Sequence, residues 1–330
     1  RNSNSVLPLG RNQSILVVGP AADALPPLFG AWSYSWQGTD ERLYPSSPTV
    51  VDALRARFGE DAVPHLDLGG FGDWPSADRV AKAAAEADVV VLCLGEPPSV
   101  EKPGDIVALD LSAEQVALSK MVIDAGKPVV TLLIENRPRT FSDVEEGFDA
   151  IVWAGHPGPY GPQAIAEILA GDVNPRGRLP FPYPRYSGAI VTYDRKSPED
   201  LGLTFQMDAY DPLFTFGSGL SYTAFGYSNL DVSVAGDAIS VSVDVANLGR
   251  LDGAEVVQRY VRDEVATVTP HHERRKAFSK VGIAVGESRT VSFTLSRDDL
   301  TMVNQSAERV FEPGAFTFRI GELQETITIE

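Results

Sequence analysis

The sequence predicts two domains of different fold class: an α/β sandwich with a mostly parallel sheet, followed by an all-β sandwich. Its 330 residues exceed the roughly 250–300 at which single hydrophobic cores stop growing. From Ser14 onward, apolar runs alternate with segments of helical periodicity, the pattern of a parallel sheet covered on both faces. After Leu220 the helical patterns end, and short segments with period-two alternation lie between turn residues, as in an antiparallel β-sandwich.

The first half alternates predicted strands and helices. Continuous apolar runs predict buried strands over 15–18, 89–94, 129–134 and 150–154. Helical spacing of apolar residues predicts helices over 49–58, 80–87, 113–124 and 162–169. Thr49 is placed to cap the first helix, and Ser112 with Gln115 has the spacing of a capping box. Cys93, the single cysteine, lies within the second apolar run, so it is interpreted as a buried hydrophobe rather than a nucleophile.

The second half shows alternation without helices. Strands are predicted over 239–245, 254–262, 289–295 and 316–320, with turn residues over 247–253. His271 and His272 stand among acidic and basic residues up to Lys276, and this run is interpreted as a solvated loop. The four histidines show neither pairing with cysteine nor helical spacing, so no metal site is predicted.

The charge balance restricts the partners. A formal net charge of −17 argues against a nucleic acid, whose phosphates need a basic surface, and against an anionic membrane. No apolar stretch reaches the roughly 20 residues of a membrane span. Neutral small molecules and sugars therefore remain as ligands.

Carboxylates concentrate in the loop after the second predicted strand, residues 95–105. In open α/β sheets, sites form outside the carboxyl ends of the strands, where this loop emerges. It contains Glu96, Glu101 and Asp105, and pairs of carboxyl groups are what glycosidic bond cleavage uses. The alternative is that Glu96 and Asp105 cap or form salt bridges while Glu101 is solvated. The residues alone favour that alternative.

A second loop, residues 29–38, follows the first predicted strand and is rich in aromatic residues. Exposed Trp32, Tyr34 and Trp36 would suit stacking on sugar faces, although tryptophan more often fills a core. An aromatic loop and a carboxylate loop at one sheet edge favour a binding site more than either loop does alone.

Several motifs in consistent order resemble the C-terminal half of a glycoside hydrolase family 3 enzyme, a β-glucosidase or exo-acting β-glucan glucohydrolase. They are 2–9 with 14–23, the Gly-His-Pro-Gly of 155–158, 161–171, the Gly-Arg-Leu-Pro of 177–180, 212–222, 247–249, 255–258 and 312–314. The resemblance implies a linker over 1–12, an α/β sandwich over 13–215, a second linker over 216–227 and a fibronectin type III-like domain over 228–330. It also implies hydrolysis of terminal non-reducing β-D-glucosyl residues with retention of configuration.

The resemblance assigns roles to two residues. Glu101 matches the general acid/base, and Trp36 matches a tryptophan that stacks on the sugar in the leaving-group subsite. The family takes its nucleophilic Asp from a TIM barrel, for which no counterpart is found in this chain. Gly72-Asp73-Trp74 resembles the setting of that nucleophile, but it lies in the wrong domain and is interpreted as a surface loop. We therefore expect one piece of a nicked, split or truncated enzyme, inactive alone, with an exposed apolar patch where the barrel docks.

Two other functions stay open. Lys102-Pro103 and Ile106 depart from the family's usual loop and leave the subfamily open, with a β-xylosidase as one alternative. The other is a non-catalytic carbohydrate-binding or scaffold module that has lost its barrel. The expected partners are a β-glucoside or β-glucan oligosaccharide and the TIM-barrel domain or chain, with a homodimer left open. No cofactor is implied, and a periplasmic or secreted location is favoured over the cytoplasm.

Overall fold

The computed structural model describes residues 1–44, 46–72, 74–189, 191–196 and 210–330, and these form two compact units. Unit 1 comprises Arg1–Val173 and Pro184–Gly188, and unit 2 comprises Asn174–Tyr183 and Ala189–Glu330. The predicted domain limits, 13–215 and 228–330, stay predictions. Asp73, in the loop likened to a nucleophile setting, lies outside the described residues.

Unit 1 is an α/β domain around a five-stranded parallel sheet of order β2-β1-β3-β4-β5. Its strands are β1 (Ile15–Val18), β2 (His65–Leu66), β3 (Val89–Gly95), β4 (Val129–Ile134) and β5 (Ala150–Trp153). Its helices are α1 (Pro26–Phe29), α2 (Val50–Phe58), α3 (Ala77–Ala85), α4 (Ala113–Asp124) and α5 (Gly161–Leu169). In the described part of the chain, no helix combines the length and apolar character needed to cross a membrane.

The local sequence explains these elements. β1, β3 and β4 are buried along their whole length, as continuous apolar runs require in a sheet covered on both faces. Cys93 is fully buried, and this burial raises the pKa of its thiol, which keeps it protonated and unreactive. Thr49 caps α2 through a complete capping box with Asp52. α3 starts earlier than predicted because the side chain of Ser76 caps it.

The capping box predicted for α4 is only half formed. The Ser112 hydroxyl accepts from the Gln115 backbone N–H at 3.3 Å, as expected. The Gln115 side chain turns instead to Gly95, whose N–H and C=O it bonds at 3.0 and 2.8 Å. A buried amide needs partners for both its donor and its acceptor, and the end of β3 offers both. Gln115 thus ties α4 to the start of the carboxylate loop.

Unit 2 is an antiparallel β-sandwich, which confirms the second predicted fold class. One sheet has the order β10-β7-β6, the other has the order β14-β13-β8-β9, and a two-stranded pair joins β11 and β12. The strands are β6 (Phe225–Ala235), β7 (Ala238–Asn247), β8 (Gly253–Asp263), β9 (Arg274–Ile283), β10 (Ser288–Ser296), β11 (Met302–Val303), β12 (Arg309–Val310), β13 (Gly314–Ile320) and β14 (Leu323–Ile329). One hydrophobic core takes residues from both sheets, Val243 and Phe318 among them.

The interpretation of the run up to Lys276 as a solvated loop is wrong in part. The residues from Arg274 onward belong to β9, and His271 is half-buried. β9 is an edge strand of its sheet, and among the described strands it pairs with β8 alone. Edge strands tolerate lysine and arginine, which discourage pairing with other chains, so the apolar alternation used for the prediction is missing there.

Candidate active site

Two loops with predicted site residues lie at one edge of the unit 1 sheet. Trp36 follows β1 and Glu101 follows β3, and the carboxyl ends of these parallel, neighbouring strands point to the same edge. The segment after β4, which begins at Glu135, emerges there as well. Three loops therefore meet where an open α/β sheet usually places its site.

Glu96 anchors the loop of residues 95–105, the carboxylate loop, through buried ion pairs. Its carboxylate is 4% exposed and forms ion pairs with Arg137 (Nε–Oε1, 3.1 Å) and Arg139 (Nη2–Oε2, 2.6 Å). Arg137 also donates to the Gly104 carbonyl at 2.7 Å and to the Ser99 hydroxyl at 3.2 Å. Removing one member of such a buried charge cluster leaves the others unpaired. Glu96 therefore forms salt bridges, as the alternative interpretation of this loop predicted. Through Arg137, which also binds Ser99 and Gly104, it connects the beginning and the end of the loop.

Glu101 lies at the tip of this loop with an exposed side chain. Its backbone has φ 57° and ψ −149°, a conformation that residues other than glycine rarely adopt. The turn that follows, Lys102–Gly104, closes with a 2.8 Å hydrogen bond from the Gly104 N–H to the Glu101 carbonyl. The loop therefore fixes the Glu101 backbone while leaving its carboxylate open to a ligand.

The aromatic loop exposes its rings. Trp32, Tyr34 and Trp36 are 66, 59 and 48% exposed, so the core-filling alternative does not apply to them. Tyr34 packs edge-on against Tyr44 at 5.3 Å, and the Tyr44 hydroxyl donates to the Gly38 carbonyl at 2.6 Å. Burial raises the pKa of Tyr44, which keeps this donor protonated. The loop is thus held from inside while its indole rings face outward.

Gln37 joins the two loops. Its side-chain amide accepts from the Val100 N–H at 3.0 Å and donates to the Val100 carbonyl at 3.1 Å. Gln37 directly follows Trp36, and Val100 directly precedes Glu101. The side chain next to Trp36 therefore binds the backbone next to Glu101.

Further residues at this edge were not singled out from the sequence. Asn136 donates to the Ser99 carbonyl at 3.3 Å, and its side-chain oxygen lies 3.1 Å from His156 Nε2. With Arg137, Arg139 and Gln37, these side chains connect the loops after four strands. The sequence could have indicated them by their position, since Asn136, Arg137 and Arg139 follow the end of a predicted strand, as Glu101 does. No three His, Cys, Asp or Glu side chains in the described ranges are grouped to hold a metal ion.

Exposed apolar side chains surround this network. Besides the aromatic loop, Ile106 and Val107 after β3 are 40 and 109% exposed, and Tyr160 after β5 is 82% exposed. Isolated apolar residues on a surface are ordinary, but here they share one sheet edge. The edge thus combines an exposed carboxylate, exposed indoles and uncovered apolar surface.

Two family models match the chain. The glycosyl hydrolase family 3 C-terminal domain matches residues 1–222, and the fibronectin type III-like domain matches residues 255–324. A lysosomal beta glucosidase of Dictyostelium discoideum is 35% identical over 98% of this chain and 42% of its own length. A beta-xylosidase of Formosa agariphila is 34% identical over 97% of this chain and 46% of its own length.

Solved structures agree with these relatives. The crystal structure of a beta-glucosidase from Listeria innocua in complex with isofagomine superposes with a TM-score of 0.86 at 29% identity, covering 100% of this chain and 47% of that one. A mutant of the Listeria innocua beta-glucosidase in complex with laminaribiose has a TM-score of 0.87 at 29% identity, covering 99% and 47%. The chain thus spans about half the length of the relatives it matches.

Proposed function

Because this chain belongs to glycosyl hydrolase family 3, we propose that it supplies the general acid/base and the leaving-group subsite of a retaining, exo-acting β-glucosidase. In this proposal Glu101 is the acid/base and Trp36 is the stacking platform. The nucleophilic Asp comes from a TIM-barrel domain or chain of the same enzyme. The substrates are β-glucosides or β-glucan oligosaccharides with a terminal non-reducing glucosyl residue.

One observation carries this proposal: Glu101 is an exposed carboxylate on a strained, tightly held backbone at the functional edge of the sheet. Strain of this kind costs about 1–3 kcal/mol and persists where the surroundings enforce it. The Gln37–Val100 hydrogen bonds and the Glu96 ion pairs provide that enforcement. A loop residue that is merely solvated needs neither these hydrogen bonds nor these ion pairs to hold its backbone.

The chemistry follows from these positions. Glu101 first donates its proton to the glycosidic oxygen while the nucleophile attacks the anomeric carbon, so the leaving group departs neutral. It then removes a proton from the water that releases the glycosyl-enzyme. A docked partner domain would exclude water from this carboxyl group and supply the second carboxylate that the reaction needs.

The same edge suits the docking of that partner. The exposed apolar side chains there, Trp32, Tyr34, Ile106, Val107 and Tyr160, are the kind that a partner domain covers. Covering them would also desolvate Glu101. Partner docking and activation of the acid/base would then be one event.

The test uses the complete enzyme, with the barrel present, and the variants Glu101→Ala and Glu101→Gln. Loss of the acid should slow hydrolysis of cellobiose by about 10²–10⁴-fold, since its leaving group needs protonation. Aryl glucosides with activated leaving groups should still form the glycosyl-enzyme, so their first step should change little. Azide should accelerate the second step of Glu101→Ala, because it attacks without a general base.

Asp105→Asn is the matched control, since Asp105 is an exposed carboxylate of the same loop. It should retain most of the activity on both substrates. If Glu101→Ala retains most activity on cellobiose while Asp105→Asn abolishes it, the assignment of Glu101 is wrong.

A second candidate is a β-xylosidase of the same family, which the 34% identity to the Formosa agariphila beta-xylosidase favours. Comparing kcat/KM of the complete enzyme on aryl β-glucoside and aryl β-xyloside separates the two. A non-catalytic module would hydrolyse neither, with or without a barrel. The acidic residue retained at Glu101 speaks against that third alternative, since binding alone does not need it.

A further inference from the structure

Unit 2 contains a cleft of about 200 Å³ that the proposed glycosidase activity does not use. That volume holds roughly seven water molecules at ~30 Å³ each, about the size of one monosaccharide. Its floor is apolar, formed by core residues Val261, Leu300 and Phe316. Its rim is polar, and an apolar floor with a few polar groups is typical of small-molecule sites.

Basic groups dominate the rim. Lys196, Arg274 and Lys276 line the cleft together with His271, and Asp263 is the one carboxylate among the lining residues of the described part of the chain. Arg274 is paired with Asp194 at 2.9 Å. The whole chain has a net charge of −17, whereas the residues that line this cleft are mainly basic.

Lys276 is placed here by an irregularity of β9. Arg259 of β8 opposes Ala277, and Tyr260 opposes Arg275, so Lys276 is the extra residue of a β-bulge. Bulges of this kind redirect a side chain out of the regular alternation. Burial, with Arg274 nearby, lowers the pKa of Lys276, while Asp299 partly opposes the effect. Among the described residues no carboxylate forms an ion pair with its ammonium, and Asp299 compensates its charge only in part.

A second buried cation, Arg259, lies on β8, the strand that also carries Val261. Arg259 is 1% exposed, and its Nε and Nη1 atoms have no hydrogen-bond partner among the described residues. Its guanidinium lies 5.5 Å from the Phe293 ring centroid, a weak substitute for a carboxylate. Burial lowers its pKa to about 10, so the guanidinium keeps its charge at neutral pH. Asp299 acts on this guanidinium as well as on Lys276, and buried cations that are compensated only in part attract an anion to the space near them.

We propose that this cleft binds the anionic group of a ligand of monosaccharide size or smaller, a carboxylate or an oxyanion, with Lys276 as its charge partner and Arg259 adding attraction from the core. Val261, Leu300 and Phe316 would pack against the uncharged part of the ligand. The inference is independent of the glycosidase assignment, because no residue of unit 1 takes part.

The test titrates the 330-residue chain with glucuronate, sulfate and glucose at constant ionic strength. Amide ¹H–¹⁵N NMR spectra and calorimetry follow the binding. Glucuronate or sulfate should saturate and shift the signals of residues 269–276 and 301–303. Glucose, equal in size but neutral, should not. Tighter binding of glucuronate identifies a sugar-borne carboxylate as the ligand group, and tighter binding of sulfate identifies a free oxyanion.

Lys276→Met should weaken anion binding at least tenfold, while Lys276→Arg should retain it. Lys280→Met is the matched control, because Lys280 is an exposed lysine of the same strand. Circular dichroism checks the fold of each variant, and the wild-type NMR map stands if Lys276→Met does not fold. Absence of saturable anion binding, equal binding by Lys276→Met, or equal shifts with glucose would each overturn the proposal.

Discussion

At the scale of single residues, the backbone of Glu101 shows the sharpest conflict between local preference and observed structure. A residue with a side chain is strained at this positive φ, whereas glycine adopts the same conformation without strain. Loops that hold such a residue against its preference do so because neighbouring contacts outweigh the cost. For Glu101 those contacts are the hydrogen bonds of Val100 and the short turn after it.

Replacing Glu101 by glycine should therefore relieve strain. Relief of about 1–3 kcal/mol exceeds the ~0.5–1 kcal/mol entropic cost of glycine, whereas Glu101→Ala keeps the strained backbone. We expect Glu101→Gly to have a free energy of unfolding about 1 kcal/mol above that of Glu101→Ala, measured by urea denaturation. Both variants lack the carboxylate, so the comparison isolates the backbone. Equal stabilities would show that the conformation is not strained.

Trp36 permits a second test at this scale. Since its ring is 48% exposed, Trp36→Ala should change stability by less than about 0.5 kcal/mol. In the complete enzyme, loss of stacking worth about 0.5–1.5 kcal/mol should raise KM for cellobiose roughly 3- to 10-fold. Trp32→Ala, which removes another exposed tryptophan of the same loop, is the control. An effect of Trp32→Ala larger than that of Trp36→Ala would reassign the platform.

At the scale of elements, Gln37 connects the aromatic loop with the carboxylate loop through hydrogen bonds. Loops are usually the mobile parts of a domain, yet a site must hold its groups within a fraction of an ångström. The two hydrogen bonds between the Gln37 amide and the N–H and carbonyl of Val100 fix both distance and orientation. Gln37 is therefore a positioning residue in the proposed site.

Gln37→Leu in the complete enzyme should lower kcat on cellobiose by about tenfold or more, because Glu101 loses its alignment. Activated aryl glucosides should be less affected, since they need no acid in the first step. Gln163→Leu is the control: Gln163 is an exposed residue of α5. A purely structural role for Gln37 would instead lower the activity on both substrates equally.

The edge strand β2 gives a pH-dependent prediction. Burial lowers the pKa of His65 below its usual value of about 6.5, which Asp23 and Asp67 oppose less strongly. Below pH ~6.5 the unfolded state therefore binds more protons than the folded state, and stability falls with the pH. His65→Gln should lose less unfolding free energy than the wild type as the pH is lowered from about 7.5 to about 5.5. Parallel losses in both proteins would contradict this role for His65.

At the scale of the whole molecule, the residues that the structure describes hold only part of the proposed site. Retaining hydrolysis needs a second carboxyl group about 5–5.5 Å from the acid/base. On the same loop, Glu96 is engaged by two arginines, and no role as nucleophile is assigned to Asp105. The proposal therefore depends on the nucleophile of the proposed barrel.

The isolated chain should accordingly show no aryl β-glucosidase activity above that of its own Glu101→Ala variant. Adding the barrel domain, on the same chain or in trans, should restore turnover. The Glu101→Ala chain serves as the background because it shares every contaminant and lacks the proposed acid. Turnover by the isolated chain that Glu101→Ala removes would disprove the need for a barrel.

Periodicity carries most of the fold prediction. The buried strands β1, β3 and β4 are continuous apolar runs, so the sequence predicts each within one residue of its observed limits. β2 escapes prediction because two residues give no period, and β9 does so because an edge strand needs no apolar face. Glu101 and Trp36 stand out only through the family resemblance, since their residue types alone favour ordinary surface roles.

The sequence by itself determined the buried strands β1, β3 and β4, the two fold classes and the family, because hydrophobic periodicity and local motifs are properties of the chain itself. The tertiary structure decided which polar side chains form hydrogen bonds and ion pairs with which loop. The Gln115 side chain forms hydrogen bonds with Gly95 instead of completing the cap of its own helix. Glu96 forms ion pairs with Arg137 and Arg139, about forty residues further along the chain. Gln37 forms a hydrogen bond with Val100 of the other loop. Partners of this kind are chosen by burial and distance in space, and neither is readable from spacing along the chain.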